Sequence, residues 1–196
     1  MALRATVVLA AALLTTPTAA TCRIDAPPYG FFNEADVERI GSLYVSRARG
    51  LTAALRSKDE GLRLLVAGLF DGPSGRATPS DLTGSYTCRT VRLGSEDPIT
   101  ADDALECSIT REGDNFRIVQ TGGPQRLSGK LTASGDGYLF VGARHEEGED
   151  PVPYGAKPDR NRAGCLTARD DGTMVLELPA PGPDAMHDAM VLTVRP

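Results

Sequence analysis

The sequence predicts an α+β chain: an N-terminal helical hairpin followed by an antiparallel, roughly eight-stranded up-and-down β-barrel. Three observations carry this. Apolar residues recur at helical spacing between residues 33 and 70. From Leu82 onward the apolar period changes to two. Turn residues separate the alternating stretches so closely that no crossover helix fits between them. A β-sandwich is the alternative architecture for such strands.

Asn33 is placed to cap the first helix, with Glu34 and Asp36 in its positive first turn. Phe32 and Val37 stand where a hydrophobic staple would. Val37, Ile40, Leu43, Tyr44, Ala48, Leu51 and Leu55 then keep the helical period. Ser57-Lys58-Asp59 interrupts it, Leu62, Leu65, Val66 and Leu69 resume it, and Gly72-Pro73 stops it. Short amphipathic helices do not hold together alone in water, so their apolar face needs a partner surface. The end of the barrel and a wall patch beside Val175 and Val191 are the expected docking places.

In the second part, Tyr86 and Cys88 alternate with Thr87 and Arg89, and Cys107 and Ile109 with Ser108 and Thr110. Phe116 and Ile118, then Leu127, Gly129 and Leu131, follow the same rule. Tyr138–Ala143, Leu166–Ala168, Met174–Leu178 and Met190–Val194 complete the set. Gly113-Asp114, Gly122-Gly123-Pro124, Asp136-Gly137 and Asp171-Gly172 supply the turns. Closure into a lipocalin-like barrel removes the exposed edges of such a meander. Two connections are long: Gly94–Asp102, and Glu146–Arg160, which is acidic and then Pro-rich.

The ends suggest export. Arg4, the apolar run Ala5–Leu14, and the small residues of Thr18-Ala19-Ala20 form the three parts of a secretory signal peptide. The expected organisation is a leader over 1–20 cleaved near Ala20, a helical segment over 21–80 and the barrel over 81–196, in the periplasm. Ala19 and Thr21 ahead of Cys22 do not match a lipid-anchor site, so a soluble mature chain is expected. With Arg4 removed, the 21 basic residues fall to 20 against 26 acidic, a net charge of −6. That balance argues against nucleic acid and anionic membrane surfaces as partners, and no other apolar run is long enough to span a bilayer.

Four cysteines in an oxidising compartment read as two disulfides. No CxxC pair favours zinc instead. If Cys88 faces Cys107, Thr90 meets Leu105, Tyr86 meets Ile109, and inward residues pair with inward residues. Cys22 and Cys165 are then left to pair.

The string Leu82-Thr83-Gly84-Ser85-Tyr86-Thr87-Cys88-Arg89 resembles the opening of the bacterial family known as domain of unknown function 4893. Gly123-Pro124-Gln125-Arg126-Leu127-Ser128-Gly129, Tyr154-Gly155, Leu178-Pro179-Ala180-Pro181 and Cys107 also fit its pattern. The resemblance implies an exported protein of a Gram-negative bacterium and implies no activity.

Residue patterns name no catalytic, metal or cofactor site. The acids after His145 lack the glycine-punctuated spacing of a calcium loop and read as a solvated acidic stretch. No Gly-x-Ser-x-Gly elbow accompanies His145 or His187, and His187 reads as an ordinary strand-end residue. Alternation points Gln125 inward near a barrel mouth and Arg126 outward; with Tyr154 in the long loop, these are the candidate ligand or partner contacts. The expected role is a non-catalytic binding or interaction module. Its partner would be a small apolar ligand or an envelope protein. Alternatives are an inhibitor of a secreted hydrolase, inserting the loop Glu146–Arg160, or an unrecognised envelope enzyme.

Overall fold

The computed structural model describes residues 22, 32–71, 78–94, 96–182 and 185–195. The expected leader and its cleavage site lie outside the described residues.

Asn33 caps the first helix: its Oδ1 accepts from the Asp36 N–H at 2.8 Å. Three helices follow, not the hairpin of two that the period suggests: α1 (Glu34–Gly41), α2 (Leu43–Ala54) and α3 (Glu60–Phe70). The extra break falls at Ser42, whose Oγ donates to the Arg39 carbonyl at 2.9 Å and competes with the helical ladder. Asp59 caps α3 by accepting from the Leu62 N–H.

Nine strands succeed the helices: β1 (Gly84–Leu93), β2 (Ile99–Ala101), β3 (Leu105–Glu112), β4 (Asn115–Gln120), β5 (Gln125–Ser134), β6 (Gly137–Glu146), β7 (Asn161–Ala168), β8 (Met174–Gly182) and β9 (Ala185–Val194). From β3 on, each pairs antiparallel with its sequence neighbour. β1 closes the ring by pairing with β9, from Tyr86↔Val194 to Leu93↔His187. The result is an eight-stranded up-and-down barrel with one additional strand. That strand, β2, lies in what the sequence presents as a loop. It pairs with the last turn-proximal residues of β1, while β3 pairs with the first half.

The register of this first hairpin differs from the expected one by two residues. Cys88 faces Leu105 and Tyr86 faces Cys107. The chain already turns back between Leu93 and Ile99, where the Gly94 N–H donates to the Pro98 carbonyl. Cys88 and Cys107 are therefore diagonal neighbours, with Cα atoms 5.9 Å apart and disulfide-bonded. Cys22 is bonded to Cys165 on the outer face of β7, with Cα atoms 5.7 Å apart.

The inward phase of the strands packs into a single core. Phe116, Phe140, Leu131, Leu166 and Leu176 are among its fully buried members. Gly129 and Gly142 face each other across β5 and β6. A Cβ at either would come within 2.5 Å of the Phe140 ring, so the two glycines make room for it. One end of the barrel is sealed. Tyr86 donates to the Leu82 carbonyl and Tyr138 to the Pro79 carbonyl, so the segment before β1 is drawn across that end. Between the sealed end and the mouth, packed apolar side chains occupy the interior.

The helices lie on the outer wall. α1 packs on β7 and β8, α2 on β9, β8 and β1, and α3 on β2. Val91, Leu93 and Ile99 face outward here and form a second core with Ala54, Val66 and Leu69, flanked by Val191. The outer face of β1 thus turns from polar at Thr87 and Arg89 to apolar at Val91 and Leu93.

Candidate functional site at the barrel mouth

At the end opposite the sealed one, the inward phase continues but its chemistry changes. On β1, Cys88 is followed inward by Thr90 and Arg92. On β6, Phe140 and Gly142 are followed by Arg144. On β7, Arg162 precedes Gly164 and Leu166, and on β9 Asp188 precedes Met190. The alternation that buries leucines elsewhere here brings three arginines and a carboxylate into one mouth.

The pairing is incomplete. Arg92 makes a bidentate pair with Asp102, at 2.7 and 2.8 Å. Arg144 Nη2 donates to Asp188 Oδ2 at 2.8 Å. Asp188 is fully buried, and its Oδ1 has no protein partner. Arg162 is 7% exposed and donates from Nη1 to the Asn161 and Asp159 carbonyls, while its Nε has no partner. Burial pushes the Asp188 carboxyl above the usual carboxylate range, outweighing the nearby Arg144 and Arg92. Burial, aided by Arg144, pushes Arg162 down to about 10. For Arg92 burial pulls downward, but the Asp102 pair prevails and its value is raised.

A cavity of about 20 Å³ lies between Thr90, Arg92, Gln120, Arg144 and Asp188. That is room for about one water. Across Arg92, Asp102 and Gln125 it adjoins an open cleft of about 590 Å³, whose rim carries Asp103, Pro124 and Glu146.

Of the three contact residues picked from the sequence, two border the mouth and one does not. Gln125 lines the mouth, while its carbonyl and that of Gly122 face the Gln120 amide. Arg126, which alternation points outward, also borders the inner cavity of the mouth, donating to the Gly123 carbonyl and pairing with Glu147 at 3.2 Å. Tyr154 is a tie between the long loop and α1. Its hydroxyl donates to the buried Asp36 and accepts from the Asn33 N–H. Burial and then the Asp36 bond push Tyr154 up to about 12. As expected, the acids after His145 are largely solvated, with Glu146, Glu147 and Asp150 exposed, but His145 itself is not. His145 is buried with Nδ1 3.3 Å from the Glu149 carbonyl, and Glu149 folds back on Lys157 and Arg160. No cluster able to hold a metal ion occurs among the described residues.

His187 is also no ordinary strand end. It is fully buried where α2 meets β8 and β9. Ser46 Oγ lies 3.1 Å from its Nδ1 and Glu177 Oε1 lies 3.0 Å from its Nε2; Arg47 forms a bidentate pair with Glu177. Ser, His and Glu in a row suggest a hydrolase triad. However, the Ser46 hydroxyl donates to the Met186 carbonyl at 2.5 Å and accepts from the Ala180 N–H. It borders neither the mouth nor the shallow apolar groove along α2. The group works as a clasp between helix and barrel. It also holds Ala180, which sits at φ 42° in the region that favours glycine.

Sequence reasoning missed Arg92, Arg144, Arg162 and Asp188. The usable signal was charge on the inward phase of strands whose other inward residues are apolar. Two comparisons, with curated proteins and with solved structures, return no match. The family model of a domain of unknown function (DUF4893) matches residues 30–192, which takes in all three helices and nearly the whole barrel. The chain belongs to this family.

Proposed function

We propose that this chain is an exported, non-catalytic binding module that takes a small polar ligand at the mouth of its barrel. The carrying observation is that Asp188 Oδ1 and Arg162 Nε, two of the four buried polar side-chain atoms without a partner among the described residues, lie near the end that is not sealed. Native interiors leave few such groups unsatisfied, and an incoming ligand that is both donor and acceptor would satisfy both. The two disulfides suit an oxidising compartment. No described helix is long and apolar enough to cross a membrane.

The inhibitor reading draws less support. The loop Glu146–Arg160 is held by Tyr154–Asp36, Gly155–Asn161 and the Glu149 pairs, so little of it is free to insert into an enzyme. A thermal-shift screen of the mature chain against small amines, carboxylates, amino acids and polyols, with laurate and palmitate as apolar probes, tests the proposal. Small polar compounds should raise the melting temperature and the fatty acids should not. Stabilisation by the fatty acids alone would mean that the interior opens and the mouth is not the site.

A further inference from the structure

The charges of the mouth are ordered from floor to rim. At the floor, Arg92 and Arg144 line the inner cavity, paired with Asp102 and Asp188. The buried Arg162 lies behind them, close enough to Arg144 and Asp188 to act on both. Among these side chains the positive charges outnumber the two carboxylates. The rim carries Asp103 and Glu146, both exposed and without an ion-pair partner among the described residues. An uncompensated buried cation is costly, and a bound anion removes that cost.

Resting on the mouth as the binding site, we propose that its ligand is a small zwitterion, with a carboxylate at the inner end and an ammonium at the outer end. This is the chemistry of a free amino acid or a short ω-amino acid. The inner cavity of about 20 Å³ admits one carboxylate oxygen and no ring or chain, while the cleft of about 590 Å³ takes the body. The head accepts from the guanidinium groups of the floor. Asp188 Oδ1, otherwise without a partner, shares a proton with it, as two acids in one site do. Burial already favours the protonated form of Asp188. The ammonium end meets Glu146 and Asp103.

The test is isothermal titration of the mature chain with acetate, methylammonium, glycine and γ-aminobutyrate. At least one zwitterion should bind about tenfold or more tighter than either single-charge probe. Glu146→Gln should weaken the zwitterion and leave acetate unchanged. Arg162→Met should weaken both by about tenfold without lowering the melting temperature, since it removes a buried cation and keeps the volume. Acetate binding as tightly as every zwitterion overturns this inference and leaves the mouth as a carboxylate site. Arg162→Met that melts lower and binds unchanged makes Arg162 structural and also overturns it. Silence from all four probes while the screen finds another polar ligand overturns this inference alone. Silence in both overturns the mouth reading too.

Discussion

Glu177 offers the most direct perturbation of the helix–barrel clasp. It is 5% exposed and accepts from Arg47 twice and from His187. Glu177→Gln keeps the shape but takes the counter-charge from Arg47, whose side chain is only 27% exposed. Breaking a buried pair in this way typically costs about 3–5 kcal/mol; the partial exposure of Arg47 argues for the lower end, about 3. For a chain of this size that lowers the melting temperature by roughly 6–12 °C. Burial alone would raise the Glu177 carboxyl, but the His187 and Arg47 bonds outweigh it and hold it below the usual value. A carboxyl depressed in the folded state contributes fully above the ordinary Glu value of about 4.3. The contribution fades as pH falls below that value and through the folded one. Urea unfolding followed by far-UV circular dichroism should therefore show a wild-type advantage that is large near neutrality and shrinks below about pH 4. A gap under about 0.5 kcal/mol at neutral pH, the size expected of a surface change, would refute the clasp. So would a gap unchanged by acid.

Other outcomes follow from single contacts. Tyr154→Phe removes the bond to the buried Asp36 and should cost about 1.5–3 kcal/mol, since the acceptor is charged. A spectrophotometric titration should lose a phase near 12 in that variant. Gly142→Ala drives a methyl into the Phe140 ring and the Ser128 carbonyl, and the variant should not accumulate as folded protein; a normally folded Ala variant would mean the β5–β6 contact is looser than described. A chain starting at Pro79 exposes Val91, Leu93 and Ile99, so it should bind a hydrophobic dye and melt several degrees lower. If it stays dye-silent and equally stable, the helices are an independent appendage. Alkylation of the mature chain without reduction should label none of the four cysteines. Peptides joining Cys88 to Cys22 or Cys165 would contradict the pairing.

The barrel was legible because its core residues keep a strict period of two and its turns carry Gly with Asp or Pro. The hairpin between β1 and β3 was misread by two residues because the facing of Cys88 and Cys107 was assumed direct. A diagonal pair satisfies the disulfide equally well. β2 escaped notice because three residues carry too little periodicity to register. The break at Ser42 was hidden because the apolar period runs through it, while the side chain that interrupts the ladder is polar. His187 was misjudged for a different reason: its partners Ser46 and Glu177 are distant in sequence, and only the docking of α2 brings them together. The mouth shares that difficulty. Its arginines sit on three strands, and the register alone shows that they converge.

The central claim is that the mouth binds a ligand, and the arginine Nε–Hε resonances of the mature chain report on it individually. A spectrum recorded with and without the most stabilising compound from the screen should show Arg92, Arg144 and Arg162 moving. Arg111 and Arg117, both exposed and outside the mouth, should stay in place. Shifts confined to Arg49 and Arg56 on the α2 groove, or no shift at the three mouth arginines, would contradict the account.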